Sequence, residues 1–368
     1  MMVTILLVLA ALRPFISSPA FPYENFLYST VLLGFLLVWA VSKGIAVKEN
    51  EPILYATATM AVALLLTLLF SPAPFTSLQE AYKYVSGVLL LMIVTPLAPQ
   101  DKNRLTMALL LTGLVISFMA MYQYLFGFQH LSDYISAQNM RESSTIAYVQ
   151  RRRVFFPFIT PNILAGYLAM LIPLALARRR TFWMMVPLAC ALLLTKSLGA
   201  IVSLFVSLMV FFYLEGKLKM KGVLLLSGVC VGIGFVFFTR SVARAEYHGM
   251  FFSALMRLNY WRDTLAAIKS SPLTGIGLGS FSLPYSRYAH NAYLQLWAEA
   301  GFLGVAAFVW MAVARLQRLI RSRPNTLDPS WTNAVVAASL VFLLHNLVDF
   351  SFFLPEASLP WWIIMGLG

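Results

Sequence analysis

The chain has 368 residues, of which 60% are hydrophobic and only 11% are charged, and its mean hydropathy is +0.79. This composition excludes an ordinary soluble domain and predicts that lipid is the solvent for most of the surface. The net charge of +13 must first be explained by the positive-inside rule before any nucleic-acid partner is considered. We therefore predict an all-α, polytopic membrane protein with no nucleic-acid partner.

Apolar runs predict about twelve transmembrane helices, because a span needs about 20 apolar residues. The first run has no basic segment before it and no clear cleavage site after it, so we expect a span rather than a cleaved signal. Cys190 and Cys230 fall inside apolar runs, which favours neither a disulfide nor a thiolate metal site. The predicted spans lie near residues 2–16, 26–42, 53–70, 82–98, 105–126, 160–177, 182–195, 197–214, 222–239, 291–314, 332–348 and 358–368.

If the N-terminus is cytoplasmic, every second connection between these spans is basic, as the positive-inside rule requires. These connections hold 14 of the 27 Lys and Arg residues: Lys43, Lys48, Lys102, Arg104, Arg178, Arg179, Arg180, Lys217, Lys219, Lys221, Arg315, Arg318, Arg321 and Arg323. Ten others fall in two outer loops: Arg141, Arg151, Arg152, Arg153, Arg240, Arg244, Arg257, Arg262, Lys269 and Arg287. The rule does not explain these ten, so we predict that they attract an anionic ligand.

The two basic outer loops span residues 127–159 and 240–290 of what we treat as a single transmembrane domain, residues 1–368. The second loop is too long to be a simple connection. Its residues 256–268 place apolar side chains at helical spacing, which predicts an amphipathic helix at the membrane interface, ended by Pro272. A glycine-rich turn at residues 275–279 allows close backbone approach but is weak evidence for phosphate binding.

His290 lies where the second loop turns into a long apolar helix predicted over residues 293–314. The N-terminal end of a helix disfavours an imidazolium, so the ring is expected to be neutral. A neutral imidazole at this boundary is typical of a catalytic base, and a structural histidine that caps the helix is the alternative.

Several segments follow one another along the chain: RVFFPF at residues 153–158 with PNILAGY at 161–167, Arg257 with Trp261, SPLTGIG at 271–277, HNAYLQ at 290–295 with Glu299 and Gly301, and HNLVDF at 345–350. In this order they resemble the superfamily of O-antigen ligases and O-antigen polymerases. The resemblance covers roughly residues 150–355. It implies a glycosyltransferase of lipopolysaccharide biosynthesis with a GT-C-like fold, embedded in the bacterial inner membrane, whose active site and two basic loops face the periplasm.

The resemblance also implies roles for individual residues. His290 would be the catalytic base, supported by Asn291, Asp349 and Trp261, with no cofactor and no metal. The donor pyrophosphate would be bound by cationic side chains, because guanidinium groups hold phosphate oxygens bidentately; the candidates are Arg257, Arg153, Lys196, Arg240 and Arg287. The family usually has Ser-Arg-Gly where this chain has Ser197, Leu198 and Gly199, and Lys196 is the nearest replacement for the missing charge.

Two reactions fit these residues. A ligase would transfer a glycan from undecaprenyl pyrophosphate to a lipid A-core sugar, and a polymerase would transfer it to a repeat unit on a second carrier. The long second loop and the shorter first loop favour the ligase. A transporter of lipid-linked glycans is a third hypothesis, but it predicts broken helices near the midplane and an internal repeat. The expected partners are the lipid-linked donor, a lipid A-core or glycan acceptor, and membrane lipids.

Overall fold

The structure is a computed structural model and describes residues 1–44, 51–138, 144–229, 232, 252–321 and 329–368. Within these ranges the chain is helical and contains no strand, apart from an isolated bridge between Leu283 and Ser286. The predicted all-α class is therefore confirmed. Six residues named in the sequence analysis lie outside the described ranges: Lys48, Arg141, Cys230, Arg240, Arg244 and Arg323.

Fifteen α-helices follow one another in the described ranges. They are α1 Met2–Leu12, α2 Pro22–Lys43, α3 Glu51–Phe70, α4 Pro74–Val94, α5 Pro99–Tyr122, α6 Phe128–Ala137, α7 Ser144–Gln150, α8 Pro161–Leu176, α9 Met185–Leu194, α10 Leu198–Leu214, α11 Met220–Val229, α12 Phe252–Ser270, α13 Ala292–Arg321, α14 Pro329–His345 and α15 Pro355–Gly366. Proline stands in the first turn of several of them, where its missing N–H costs no helical hydrogen bond.

Four helical segments of the described chain are long and apolar enough to cross a membrane: Pro22–Lys43, Pro52–Phe70, Pro99–Ala137 and Ala292–Arg321. Six shorter apolar segments are Met2–Phe15, Pro161–Leu176, Phe182–Leu194, Leu198–Leu214, Met220–Val229 and Pro329–His345. These ten correspond to ten of the twelve predicted spans, and the other two form α4 and α15. The structure is that of a polytopic membrane protein.

The last predicted span is not a lipid-exposed helix. All residues of α15 are buried inside the protein, and the helix is only 12 residues long. A short helix that is apolar all round belongs to a core, since it is too short to cross a bilayer. Arg315 donates from Nε to the Met365 carbonyl at 2.8 Å, which fixes the end of α15 against α13.

The first basic loop also begins later than predicted. The segment from Pro99 runs without interruption to Ala137, because a π-helical turn at Gln123–Gly127 joins α5 to α6. Gly127 therefore lies inside a helical segment rather than at its end. Of the predicted loop 127–159, only the part after Ala137 connects helices, and that part contains α7.

The centre of the bundle is built by α8, α14 and α10, while α13 packs along α3 and α4 along α15. Small buried residues, including Ala165 and Gly166 in α8 and Ala337 and Ala338 in α14, let these helices approach closely. Close packing of small residues is the usual basis of helix association in a membrane, where lipid is as apolar as the side chains.

Side-chain contacts distinguish two ends of the bundle. At one end, which we call the site end, the Ser18 amide donates to Glu356 and Arg153 donates to the Thr195 carbonyl. At the other end, Arg178 donates to Asn103 at 2.7 Å. The described basic connections between predicted spans lie at this second end. Among the excess cations that the structure describes, Arg153 and Arg287 lie at the site end.

Candidate active site

His290 is presented at the start of α13 by a capped helix terminus. The side-chain oxygen of Asn291 accepts hydrogen bonds from the amides of Tyr293 and Leu294 at 3.0 and 3.1 Å, which makes Asn291 the cap of the helix. His290 has φ of 52°, a left-handed conformation that is uncommon outside glycine and often found at functional sites. Asn291 thus supports His290 through the backbone.

Aromatic side chains enclose the His290 ring. Tyr260 of α12 stacks on it with ring centres 5.1 Å apart, and Phe350 contacts it edge-on at 4.7 Å. Trp261 donates from Nε1 to the His290 carbonyl at 3.4 Å, so its support is also to the backbone. Burial by these groups lowers the pKa of His290 to about 4, with a smaller contribution from the charge of Arg257. The ring is therefore neutral near pH 7.

Arg257, His290, His345 and Asp349 form one group, which we call the His290 cluster. The charges of Arg257 and Asp349 both act on His290, and Asp349 also acts on Arg257. In the described part of the chain, four atoms of the cluster are buried without a hydrogen-bond partner: Arg257 Nε, His290 Nδ1, His345 Nδ1 and Asp349 Oδ1. Buried polar atoms are nearly always paired, so four such atoms in one group indicate a site built for a polar ligand.

Asp349 is held rigidly at the bottom of the His290 cluster. Its Oδ2 lies 3.4 Å from His345 Nε2 and accepts hydrogen bonds from the amide and hydroxyl of Ser351. Burial alone would raise the pKa of Asp349, but His345 and Ser351 hold it below its usual range. Helix α14 ends at His345, and Asp349 follows after a turn.

Arg153 is connected to the His290 cluster by a chain of hydrogen bonds. Its Nε donates to the Thr195 carbonyl and its NH2 to Asn162 Oδ1, both at 2.9 Å. Ser197 Oγ donates to the same Asn162 oxygen at 3.0 Å, and the Asn162 carbonyl lies 3.1 Å from His345 Nε2. Asn162 therefore joins the first loop to the cluster.

Two glycines make room for His345. A Cβ at Gly166 would lie 2.6 Å from His345 Cδ2, which is closer than such atoms approach. A Cβ at Gly199 would lie 2.9 Å from Val348 Cγ2 and 3.6 Å from His345 Nδ1. Any larger residue at Gly166 would displace the imidazole that positions Asp349.

Lys196 lies in the turn beside Arg153, two residues before Leu198, the position that corresponds to the arginine of the Ser-Arg-Gly pattern. Its Nζ donates to the Arg151 carbonyl at 2.8 Å, and its φ of 54° turns the chain sharply before α10. Leu198 is 51% exposed at the first position of α10. The structure thus brings the charge of Lys196 near Arg153 and leaves an apolar side chain where the family usually has a guanidinium.

Arg287 does not join the other predicted cations. Its NH2 lies 3.9 Å from Glu80 Oε1, and its guanidinium lies over the Tyr288 ring at 6.0 Å. It borders a separate cavity, described below. Arg240, the remaining predicted pyrophosphate ligand, lies outside the described residues.

The glycine-rich turn packs against α13. Gly301 interrupts that helix with φ of 71°, and the amides of Ile276 and Gly277 donate to the carbonyls thus released, at 2.8 and 3.1 Å. Glu299 accepts from the Gly279 amide at 2.8 Å and from Gln295 at 2.9 Å. The glycine-rich turn therefore makes its close backbone contact with α13. A Cβ at Gly275 or Gly301 would overlap backbone atoms there.

The predicted amphipathic helix forms but is longer than predicted and is not lined by one apolar stripe. It spans Phe252–Ser270, and it ends before Pro272 as expected. Ile268 is buried, whereas Leu258 and Leu265 are 44% and 45% exposed. Tyr260 was missed as a site residue, because a tyrosine between apolar positions gives no signal until its ring partner is known.

Within the described ranges no group of three or more His, Cys, Asp or Glu side chains is arranged to hold a metal ion. A protein-family model described as O-Antigen ligase matches residues 183–309. This range, about a third of the chain, contains Lys196, Arg257 and His290 and ends before His345. Comparison with curated proteins finds no match to this chain.

Proposed function

We propose that this chain, whose residues 183–309 match the O-antigen ligase family model, transfers a glycan from undecaprenyl pyrophosphate to a lipid A-core sugar. The observation that carries the proposal is the His290 cluster, in which a neutral imidazole lies beside a guanidinium and a fixed carboxylate with unpaired polar atoms. An enzyme that activates a sugar hydroxyl beside a diphosphate needs these groups together.

The reaction is a single displacement. The acceptor hydroxyl oxygen attacks the anomeric carbon of the donor glycan, and His290 takes the hydroxyl proton. The bond between that carbon and the diphosphate oxygen breaks, and its electron pair leaves with undecaprenyl pyrophosphate. Attack opposite to the leaving group inverts the configuration at the anomeric carbon.

Cationic side chains stabilise the departing diphosphate. Arg257 has a buried Nε without a partner in the described chain, and a guanidinium keeps its proton under all physiological conditions. Arg153 is buried near it, and Lys196 lies in the adjoining turn. We propose that these three bind the diphosphate, with Arg240 as a further candidate. This arrangement supplies the charge that a divalent metal supplies in other transferases.

Donor binding also strengthens the base. In the free protein burial lowers the pKa of His290 to about 4, which makes it a weak base. Two negative charges beside the ring favour the imidazolium and raise that pKa toward the range in which general bases act best. His290 therefore gains basicity when the diphosphate is present, which restricts proton transfer to the donor complex.

The location follows from the substrates. We propose that the protein lies in the bacterial inner membrane with its site end facing the periplasm, where the lipid-linked donor and the acceptor meet. Both substrates keep their lipid tails in the bilayer, and the basic residues of the site end meet the phosphate groups at the membrane surface.

Reconstitution tests the proposal. The purified protein in liposomes is given undecaprenyl-pyrophosphate glycan together with either lipid A-core or a second carrier-linked repeat unit. We expect consumption of lipid A-core, and transfer that persists in excess chelator. Consumption of the second carrier-linked unit would identify a polymerase, and failure to transfer to either acceptor would reject the proposed chemistry.

A further inference from the structure

A cavity lies at the site end, outside the His290 cluster. It has a volume of about 520 Å³ and lies between the starts of α2 and α4 and the second loop. That volume is typical of pockets that bind small ligands. Its polar lining includes Asn25, Glu80, Lys83, Arg287, Gln295 and Glu299. We call it the Glu80 cavity.

The cations of the Glu80 cavity lie beside a carboxylate. Glu80 forms an ion pair with Lys83 and lies 3.9 Å from Arg287. Lys83 also donates to the Phe353 carbonyl at 3.1 Å, and Glu299 lines the same cavity. Cations that already have a carboxylate partner are less available to a diphosphate than a guanidinium with an unpaired nitrogen.

The lining chemistry fits a sugar. Carboxylates and amides accept and donate hydrogen bonds in the pattern that hydroxyl groups need. Phe281, Tyr288 and Phe353 add apolar surface to the wall of the cavity, against which the C–H groups of a sugar can pack. The rim carries Phe26 and Leu78, which are 63% and 60% exposed. A sugar in the cavity can therefore belong to a molecule whose lipid tail stays in the bilayer.

The Glu80 cavity and His290 share a wall. Tyr288, which lines the cavity, stacks on Phe350 with ring centres 4.1 Å apart and an interplanar angle of 10°. Phe350 in turn contacts His290 at 4.7 Å. The two regions are thus separated by one pair of stacked rings.

We infer that the Glu80 cavity binds the glycan of the acceptor and directs it toward His290. The inference rests on the proposed function, because it assigns the second substrate of that same reaction. It assigns Arg287 to the acceptor rather than to the diphosphate. Donor and acceptor then approach the base from opposite sides of the Tyr288 and Phe350 rings.

A cavity-filling variant tests the inference. Thr30 lines the Glu80 cavity, and its hydroxyl bonds only to the Phe26 carbonyl of its own helix. Thr30→Trp should raise the acceptor KM about tenfold, equivalent to about 1.4 kcal/mol of binding, without changing the donor KM. Thr59→Trp is the matched control, because Thr59 makes the same helical bond to Tyr55 and does not line the cavity.

The possible results distinguish failure of the cavity inference from failure of the proposed function. An unchanged acceptor KM in Thr30→Trp, or an equal rise in Thr59→Trp, would overturn the inference. Binding of lipid-free core oligosaccharide to the wild-type protein and to both variants provides a second readout that does not require turnover. If the wild-type protein transfers no glycan, the proposed function fails; the cavity inference then fails only if Thr30→Trp also leaves oligosaccharide binding unchanged.

Discussion

The two sides of the Tyr288 and Phe350 stack differ in how their charges are paired. In the Glu80 cavity, Lys83 and Arg287 both lie near the Glu80 carboxylate. In the His290 cluster, Arg257 Nε and His290 Nδ1 have no hydrogen-bond partner in the described part of the chain. Both regions belong to the site end and both contain arginine, so composition alone does not distinguish them.

The difference teaches that the pairing of polar atoms, rather than the number of charges, distinguishes the proposed diphosphate site from the Glu80 cavity. Leaving a buried polar atom unpaired costs roughly 1–3 kcal/mol, and a protein keeps such atoms where a ligand will pair them. A cation that already has a carboxylate nearby loses that interaction if it turns to a phosphate. Variants on each side of the Tyr288 and Phe350 rings test whether the two regions act on different substrates.

The largest effect is expected for the base. His290→Ala should lower glycan transfer by up to about 10⁴-fold, because general-base catalysis contributes up to that factor. The variant should still bind undecaprenyl pyrophosphate, since the guanidinium groups remain. Initial rates with purified protein measure the loss, and chromatographic behaviour and thermal midpoint serve as controls for folding. If a folded His290→Ala protein transferred glycan at the wild-type rate, His290 would not be the base.

The next effect is expected for the buried guanidinium. Arg257→Ala should lower kcat/KM for the donor about 100-fold, a typical result for loss of one charge-stabilising group. Arg257→Lys should restore little, because an ammonium lacks the planar pair of donors that matches phosphate. The measurement is donor dependence at saturating acceptor. Full activity of the lysine variant would show that only the charge matters.

A much smaller effect on the donor KM is expected for Arg287, which lies on the other side of the Tyr288 and Phe350 rings. Arg287→Ala should change the donor KM by less than about threefold, because this side chain is 63% exposed and its ion pair is weak. The acceptor KM should rise instead. The comparison with Arg257→Ala is direct, since both variants remove one arginine from the second loop. If Arg287→Ala impaired use of the donor as much as Arg257→Ala does, the two sides of the stack would not act on different substrates.

The smallest effect is a shift in pH dependence. A base acts in its neutral form, so kcat/KM should be constant near pH 7 and fall as the pH approaches about 4, the pKa of His290. The charge of Asp349 raises that pKa, so Asp349→Asn should move the acidic limb to lower pH. Arg257→Gln should move it to higher pH, because Arg257 lowers the pKa. If both variants moved the acidic limb in the same direction, the opposite effects of Asp349 and Arg257 on the pKa of His290 would be contradicted.

Much of the fold follows from the sequence because lipid imposes length and polarity on each span. The apolar runs locate the helices, and proline is the first residue of α2, α4, α5, α8 and α14. The exceptions have physical causes. Helix α15 is as apolar as a span but is buried by its neighbours, and α5 continues through Gly127 because a π-helical turn absorbs the extra residue.

The site was predictable only in part. The sequence singled out His290 and Arg257 as candidates because both stand in segments that carry the resemblance, His290 just before α13 and Arg257 within α12. Arg287 was grouped with them because it is close in sequence, but its side chain turns to Glu80, and a loop sequence does not encode that direction. Tyr260 and Phe350 were missed because ring contacts arise from tertiary packing, and Asn162 because its bonds join distant helices.

Direct titration of His290 tests the central claim, that an uncharged imidazole lies beside the guanidinium of Arg257. The chain has four histidines, so the resonance of His290 in labelled protein can be assigned by its absence from His290→Ala. We expect a midpoint near pH 4 in the free protein and a higher midpoint when undecaprenyl pyrophosphate is bound. A midpoint at or above 6.5 in the free protein would contradict the account.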